Sequence, residues 1–402
     1  MKKNLKPLSY LLLLFIFSLG SCNPDDEYTP TPPDTDNFLV SADFIATVPQ
    51  PALKALALNA GYGIYAPFIQ HEVSFYKIVY KIKYEGEEIE ASGLLAIPQG
   101  MDRAPALLSA QHGTQFLDAE TPSGFPNSFS PFVIFAAAGY ATVIPDYIGY
   151  GVSDDILHPY FDQKYSARAV VNMIKAAKEY LKQEQVAINN NLFLVGYSEG
   201  GYVTMAAQKE IETDPSHDLA LTAVAAGAGA YDLSLMLELI AEAKTYSNPA
   251  LLAFIVQAYN TTYNWHRPLT DFFQEPYAAK IPGLLDGSKS VDAINSELPD
   301  STAKLFNTNF FASLQDPGKE TDLRQALENN SFLNWVPESP TRLYHGTADE
   351  TISYQISEAT YNRFKAAGAT NVTLLPIPGG THQTSIEPMM GDVVPWFASF
   401  DD

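Results

Sequence analysis

A serine stands among glycines in Gly196-Tyr197-Ser198-Glu199-Gly200-Gly201, directly after an apolar run at 192–195 and before a helical pattern at 202–211. This G-x-S-x-G spacing between a strand and a helix predicts a sharp turn that lifts the serine hydroxyl clear of a sheet, with glycines where larger side chains would clash. Ser198 is the candidate nucleophile, and a glycine-rich turn without chemistry is the plain alternative. A hydroxyl is a weak nucleophile near neutral pH, so it needs a base and a carboxylate that orients the base. Of seven histidines, His382 in Gly379-Gly380-Thr381-His382 fits best, because it follows the β-forming run 372–377 and precedes a C-terminal helical pattern. His345 and His112 also stand at strand ends, but each precedes a glycine and reads as a turn histidine. The carboxylate candidate is Asp349 in His345-Gly346-Thr347-Ala348-Asp349-Glu350, after the run 341–344, with Glu350 as fallback. A tetrahedral oxyanion would need two preset donors, each worth about 3 to 4 kcal/mol of barrier. One is the backbone N–H of Glu199. The other falls in Gln111-His112-Gly113-Thr114 after the run 106–110, at Thr114 or, second, at Gly113, where a mere strand-exit turn is the alternative.

Three elements of pattern must position these residues. A strongly β-forming stretch at 73–84, a turn at 85–87 and a second β stretch at 88–97 predict a leading hairpin. Short apolar runs at 106–110, 141–144, 192–195, 221–226, 341–344 and 372–377 then alternate with helical patterns, as buried parallel strands do. The clearest helix is at 167–182, where Ala167, Val170, Val171, Ile174, Ala177 and Leu181 share one face. Between 231 and 340 no strand-like run appears, yet 233–243 and 251–259 have helical patterning. The expectation is an α/β chain with a mostly parallel central sheet flanked by helices and a helical cap, divided as core at 38–232, cap at 233–340 and core again at 341–402. Tyr259, Tyr263, Trp265, Phe272 and Phe273 in the cap could line an apolar pocket over the serine, although plain packing is the commoner use of such a cluster.

The composition agrees with a folded chain: of 402 residues, 46% are hydrophobic and only 17% charged, which excludes general disorder. With 46 acidic against 24 basic side chains the net charge is −22, so a basic groove for nucleic acid is excluded as an expectation. The single cysteine, Cys22, allows no internal disulfide and no cysteine cage for zinc or iron–sulfur. His71-Glu72 lacks the second histidine of a zinc-protease motif, the stretch 283–290 has the wrong spacing for a phosphate loop, and Gly227-Ala228-Gly229 lacks the third glycine of a dinucleotide fingerprint. No cofactor and no metal are implied. At the start, Lys2, Lys3 and Lys6 precede an apolar stretch at 8–19 and then Leu19-Gly20-Ser21-Cys22, which reads as a cleaved secretory signal over 1–21. The segment resembles the lipobox of bacterial lipoproteins, which implies lipidation of Cys22, a threonine, proline and aspartate tether over 22–37, and anchoring in the cell envelope at the outer membrane. The acid cluster Asp25-Asp26-Glu27 resembles surface-export signals, and a solvated linker has the same composition.

Taken together, the serine turn, the His112-Gly113-Thr114 loop, Pro145-Asp146-Tyr147-Ile148-Gly149-Tyr150-Gly151, the H-G-x-x-D segment and the final G-G-x-H resemble the α/β-hydrolase superfamily. The likeness is nearest to the secretory lipase and esterase families with a helical lid, and it spans about 73–400. It implies a serine hydrolase of carboxylic esters working through Ser198, His382 and Asp349, acting on a small-molecule or lipid ester. Asp146 reads as structural. A serine peptidase of the same fold, a polysaccharide acetyl or feruloyl esterase, and a non-catalytic surface binding lipoprotein are the alternatives.

Overall fold

The computed structural model describes residues 37–400. The signal segment, Cys22 and the tether up to residue 36 lie outside the described residues. The expected hairpin is β2 (Val73–Tyr84) paired with β3 (Glu87–Pro98), in register from Val73 opposite Pro98 to Tyr84 opposite Glu87. Its loop is only Glu85-Gly86, both at positive φ (50° and 94°). That is the two-residue turn whose twist matches the strands, and its glycine supplies the left-handed position. The second strand therefore begins one residue earlier than the sequence pattern indicates.

A further strand, β1 (Leu39–Val48), pairs antiparallel with β2 at the sheet edge. Two register shifts interrupt it, and Phe44 on it is 60% exposed. Its alternation is thereby blurred, which is why the sequence pattern did not reveal it. Its start is held from outside the sheet, where the Glu179 carboxylate accepts the N–H groups of Phe38 and Leu39 at 3.1 and 2.9 Å.

The remaining strands are β4 (Leu107–Gln111), β5 (Ala141–Pro145), β6 (Leu192–Tyr197), β7 (Ala223–Gly227), β8 (Thr341–Gly346) and β9 (Val372–Ile377). The nine strands follow the order β1-β2-β3-β5-β4-β6-β7-β8-β9, antiparallel as far as β5 and parallel from there on. Buried on both faces, the inner strands read as unbroken apolar runs. Along β6, Leu192 and Leu194 join one core while Phe193 and Val195 join the other.

Helices cover both faces. α1 (Gln50–Asn59) and α2 (Val133–Ala137) contribute Leu53, Ala57 and Phe135 to the second of these cores. α3 (Gln163–Gln183) and α4 (Glu199–Thr213) supply Val170, Ile174, Leu181 and Val203 to the first. Fully burying each such aliphatic side chain is worth about 1.5 to 3 kcal/mol. α3 starts one turn before its apolar periodicity because Asp162 Oδ1 accepts the Tyr165 N–H at 3.0 Å, a side-chain cap that satisfies an orphan donor.

Between β7 and β8 the chain runs through α5 (Leu233–Glu242), α6 (Pro249–Thr262), α7 (Tyr277–Leu284), α8 (Val291–Glu297), α9 (Thr302–Leu305), α10 (Thr308–Leu314) and α11 (Thr321–Asn329). This helical insertion sits on loops that leave the carboxyl ends of the strands. Phe254 of α6 stacks on Tyr160 at 4.8 Å and meets Phe116 at 5.2 Å. Asp118 N–H donates to the Gly287 carbonyl, and the Tyr246 hydroxyl donates to the Thr351 carbonyl at 2.7 Å. α12 (Tyr354–Ala366) and α13 (Ile386–Ala398) complete the layers. Among the described residues no helix is long and apolar enough to cross a membrane.

Candidate active site

Ser198 occupies the turn between β6 and α4 with φ 61° and ψ −124°. This backbone region is costly for a residue with a side chain, by about 1 to 3 kcal/mol, and persists only where the surroundings over-determine it. Here they do. A Cβ on Gly196 would collide with the Gly200 carbonyl, and one on Gly200 would collide with the Gln111 and His112 carbonyls. Strand, turn and helix thus approach more closely than any other residue type permits.

His382 and Asp349 arrive from the loops after β9 and β8. His382 Nδ1 lies 2.7 Å from Asp349 Oδ2, and His382 Nε2 lies 2.8 Å from Ser198 Oγ. A carboxylate only accepts, so Nδ1 carries the ring hydrogen and Nε2 is free to accept from the serine hydroxyl. The main chain at His382 is held as well, since the Tyr197 hydroxyl donates to the His382 carbonyl at 2.7 Å. Glu350, the fallback acid, only meets the His382 backbone N–H, at 3.4 Å. The Asp349 side chain is fully buried. Its Oδ1 accepts the N–H groups of Thr351 and Ile352, each at 2.9 Å. Burial alone would raise its pKa, but the hydrogen bonds from His345 and His382 and the electrostatic attraction of their N–H groups outweigh it and hold the carboxyl well below the usual range.

His345 is the contributor that sequence reasoning assigned to a turn. Its Nε2 lies 2.8 Å from the Ile352 carbonyl and 3.2 Å from Asp349 Oδ2, both acceptors, so that nitrogen carries the hydrogen. Its Nδ1 then accepts from the Ser357 hydroxyl at 2.6 Å. The signal was present in the spacing, since His345 precedes Asp349 by four residues across a tight loop.

The β4 exit loop lies against Ser198: a Cβ built on Gly113 would touch Ser198 Cβ at 3.5 Å. Among the described residues, the N–H groups of Gly113, Thr114 and Glu199 donate to no acceptor. The Thr114 side chain is turned to the Tyr160 hydroxyl at 2.7 Å. His112, under this loop, is buried, stacks on Tyr147 at 4.1 Å, and its Nδ1 meets the Gly113 carbonyl at 2.8 Å. Burial lowers its pKa. Asp146 is fully buried too, accepting from the Ser92 hydroxyl at 2.6 Å and the Ser123 N–H at 2.8 Å, so it ties the β5 exit and the segment at Ser123 to strand β3.

The cap aromatics depart from the pocket expected of them. Phe272 and Phe273 pack inside the insertion against Phe310 and Phe306. The Tyr259 and Tyr263 hydroxyls donate to the Phe161 carbonyl and to Asp162 Oδ2, both at 3.0 Å. Phe272 and Phe273 thus serve the cap's own core, while Tyr259 and Tyr263 tie the cap to the segment before α3. A cavity of about 180 Å³ begins at Gln115, next to Thr114, where Phe116, Tyr150, His158 and Phe254 form an aromatic wall and Asp118, Asp154, Asp155 and Asp286 an acidic one.

The family model for secretory lipases matches residues 132–399. No curated protein matches the chain. Among solved structures, it is similar to a candidate hydrolase from Legionella pneumophila, at 25% identity and TM-score 0.83 over 90% of this chain and 98% of that one. It is also similar to the rice cell wall degrading esterase LipA from Xanthomonas oryzae, at 26% identity and TM-score 0.78 over 90% and 96% of the two chains. Candida antarctica lipase A in its closed state, at 14% identity and TM-score 0.64 over 91% and 82%, shares the fold.

Proposed function

Because the chain belongs to the secretory lipase family and is a carboxylic ester hydrolase, we propose that it works through an acyl-enzyme formed on Ser198, with His382 as base and Asp349 as its orienting acid. Ser198 Oγ attacks the ester carbonyl carbon while His382 Nε2 takes the hydroxyl proton. The carbonyl oxygen becomes an oxyanion, stabilised by the N–H of Glu199 and by that of Thr114 or Gly113. Collapse expels the alcohol, which receives the proton from His382. Water then enters along the same path, and its attack releases the acid and restores the serine. The charge of Asp349 stabilises the imidazolium in both halves.

The observation that carries this reading is the continuous chain of contacts from Ser198 Oγ through the imidazole to Asp349, at 2.8 and 2.7 Å. The cavity beside Gln115 is the proposed seat for one arm of the ester. Likeness to an esterase that degrades plant cell wall favours an ester borne on a polysaccharide as the second reading, beside a lipid or small ester. Export accords with a family of secretory lipases. Lipidation at Cys22 and retention in the outer membrane complete the proposal on the sequence pattern alone.

A panel of nitrophenyl esters of rising chain length, with triglyceride, acetylated xylan and feruloyl esters beside aminoacyl anilides, tests it. Ester turnover is expected. Turnover of the anilides with every ester untouched would replace the proposal by a peptidase.

A further inference from the structure

One pair of buried ionisable side chains outside the serine, histidine and aspartate arrangement touches the nucleophile's own helix. His158, in the loop between β5 and α3, places Nε2 2.6 Å from Glu199 Oε1. The two side chains are 5% and 1% exposed. His158 Nδ1 lies 2.6 Å from the Ile148 carbonyl oxygen. A carbonyl can only accept, so Nδ1 carries a hydrogen. The short Nε2···Oε1 contact therefore holds one proton. It belongs either to an imidazolium facing a carboxylate or to a carboxyl facing a neutral ring, and both forms make the same bond.

We propose that His158 and Glu199 are a positioning pair for the oxyanion site, in which this bond fixes the first turn of α4 and so aims the Glu199 N–H at the substrate's carbonyl oxygen. The inference rests on the serine-hydrolase reading above and gives the Glu199 side chain a task separate from its backbone. Three observations support it. Glu199 directly follows the strained Ser198, where the peptide plane needs an external hold. Its Oε2 is buried and takes no hydrogen bond among the described residues, so the whole hold runs through Oε1. His158 itself is rigidly seated, ringed by Tyr147, Tyr150, Tyr160 and the cap's Phe254 at 5.0 to 6.0 Å between ring centres. A Cβ on Gly149 would strike the His158 backbone.

A merely structural pair would be served as well by apolar side chains of the same volume, an exchange that is often neutral or stabilising in protein interiors. That contrast supplies the test. Glu199→Leu, Glu199→Gln, His158→Phe and the double variant Glu199→Leu/His158→Phe are compared with the wild type for Tm, for kcat and KM on a nitrophenyl ester, and for inhibition by a trifluoromethyl ketone that forms a tetrahedral oxyanion. A donor displaced by about 1 Å costs up to about 100-fold in rate. Replacing the whole pair, Glu199→Leu together with His158→Phe, is expected to hold Tm and KM while kcat falls about 10- to 100-fold, whereas either change alone strips a buried group of its partner and lowers Tm as well. Ketone affinity should fall in step with kcat/KM. Glu199→Gln, whose amide N–H can donate to His158 Nε2, should recover most of the loss. A folded Glu199→Leu protein with wild-type kcat overturns the inference, as does a Gln variant no better than Leu. Should Leu at 199 alone prevent folding, the double variant Glu199→Leu/His158→Phe, which leaves no buried group unpaired, gives the same reading. Ser198→Ala separates the two levels: activity surviving there defeats the triad itself, whereas activity lost there and indifferent to Glu199 and His158 defeats only the positioning pair.

Discussion

Asp349→Asn changes one atom type at the buried end of the proposed triad, and the surroundings dictate how the new side chain must lie. Asp349 Oδ1 accepts two backbone N–H groups at 2.9 Å, from Thr351 and Ile352. An asparagine has one oxygen and one NH₂ group, so its oxygen must take that place. The reverse orientation would leave two buried donors facing a third, at about 1 to 3 kcal/mol for each unmet group. The NH₂ then faces His382 Nδ1, which can meet a donor only by giving up its hydrogen. The ring hydrogen moves to Nε2 and points at Ser198 Oγ, 2.8 Å away. The base is thereby blocked while the geometry persists. His345 loses its 3.2 Å contact to Oδ2 but keeps the Ile352 carbonyl at 2.8 Å, so the fold survives. In serine proteases this tautomer trap lowers kcat about 10⁴-fold, which corresponds to about 5 kcal/mol of barrier. Steady-state hydrolysis of a nitrophenyl ester at neutral pH reads it directly, with a melting curve to establish folding. A folded Asp349→Asn enzyme within tenfold of wild-type kcat would refute the assigned tautomer and the orienting role with it.

Two further outcomes follow from the same geometry. Gly200→Ala drives a Cβ into the Gln111 and His112 carbonyls; a loss of about 3 kcal/mol is expected, read by urea unfolding, and an unchanged midpoint would show that the turn has room. Asp349 is held below the usual carboxylate range in the folded chain, so the stability it contributes is present above about pH 3.9 and is lost as pH falls through its lower folded value. Wild-type Tm should therefore decline more steeply below about pH 4 than that of Asp349→Asn, and parallel Tm–pH curves would contradict this.

What the sequence disclosed and what it concealed divide along physical lines. The hairpin and the parallel strands were legible because their side chains obey a short period and end at turns, as Glu85-Gly86 does. The β6 turn was legible because close approach admits only glycine at 196 and 200. β1 was not, since an edge strand with two register shifts loses its alternation and is held by Glu179 from 140 residues away. Nor could the cap aromatics be placed, because spacing along a helix records which face is buried but not whether the partner is substrate or another helix. The His158–Glu199 bond spans 41 residues from a loop to the first turn of α4, and no local pattern in either segment encodes it. His345 lies between these cases: its interval to Asp349 was visible, but only the loop's path brings the Asp349 carboxylate against both His345 and His382.

The nucleophile is tested most directly by covalent capture. A fluorophosphonate reacts only with a serine whose hydroxyl is activated, and digestion followed by mass spectrometry locates the adduct. The peptide holding Ser198 should carry it, and Ser198→Ala should carry none. Folded wild-type protein that stays unmodified, or a Ser198→Ala variant that is still labelled on another residue while hydrolysing esters, would contradict the account.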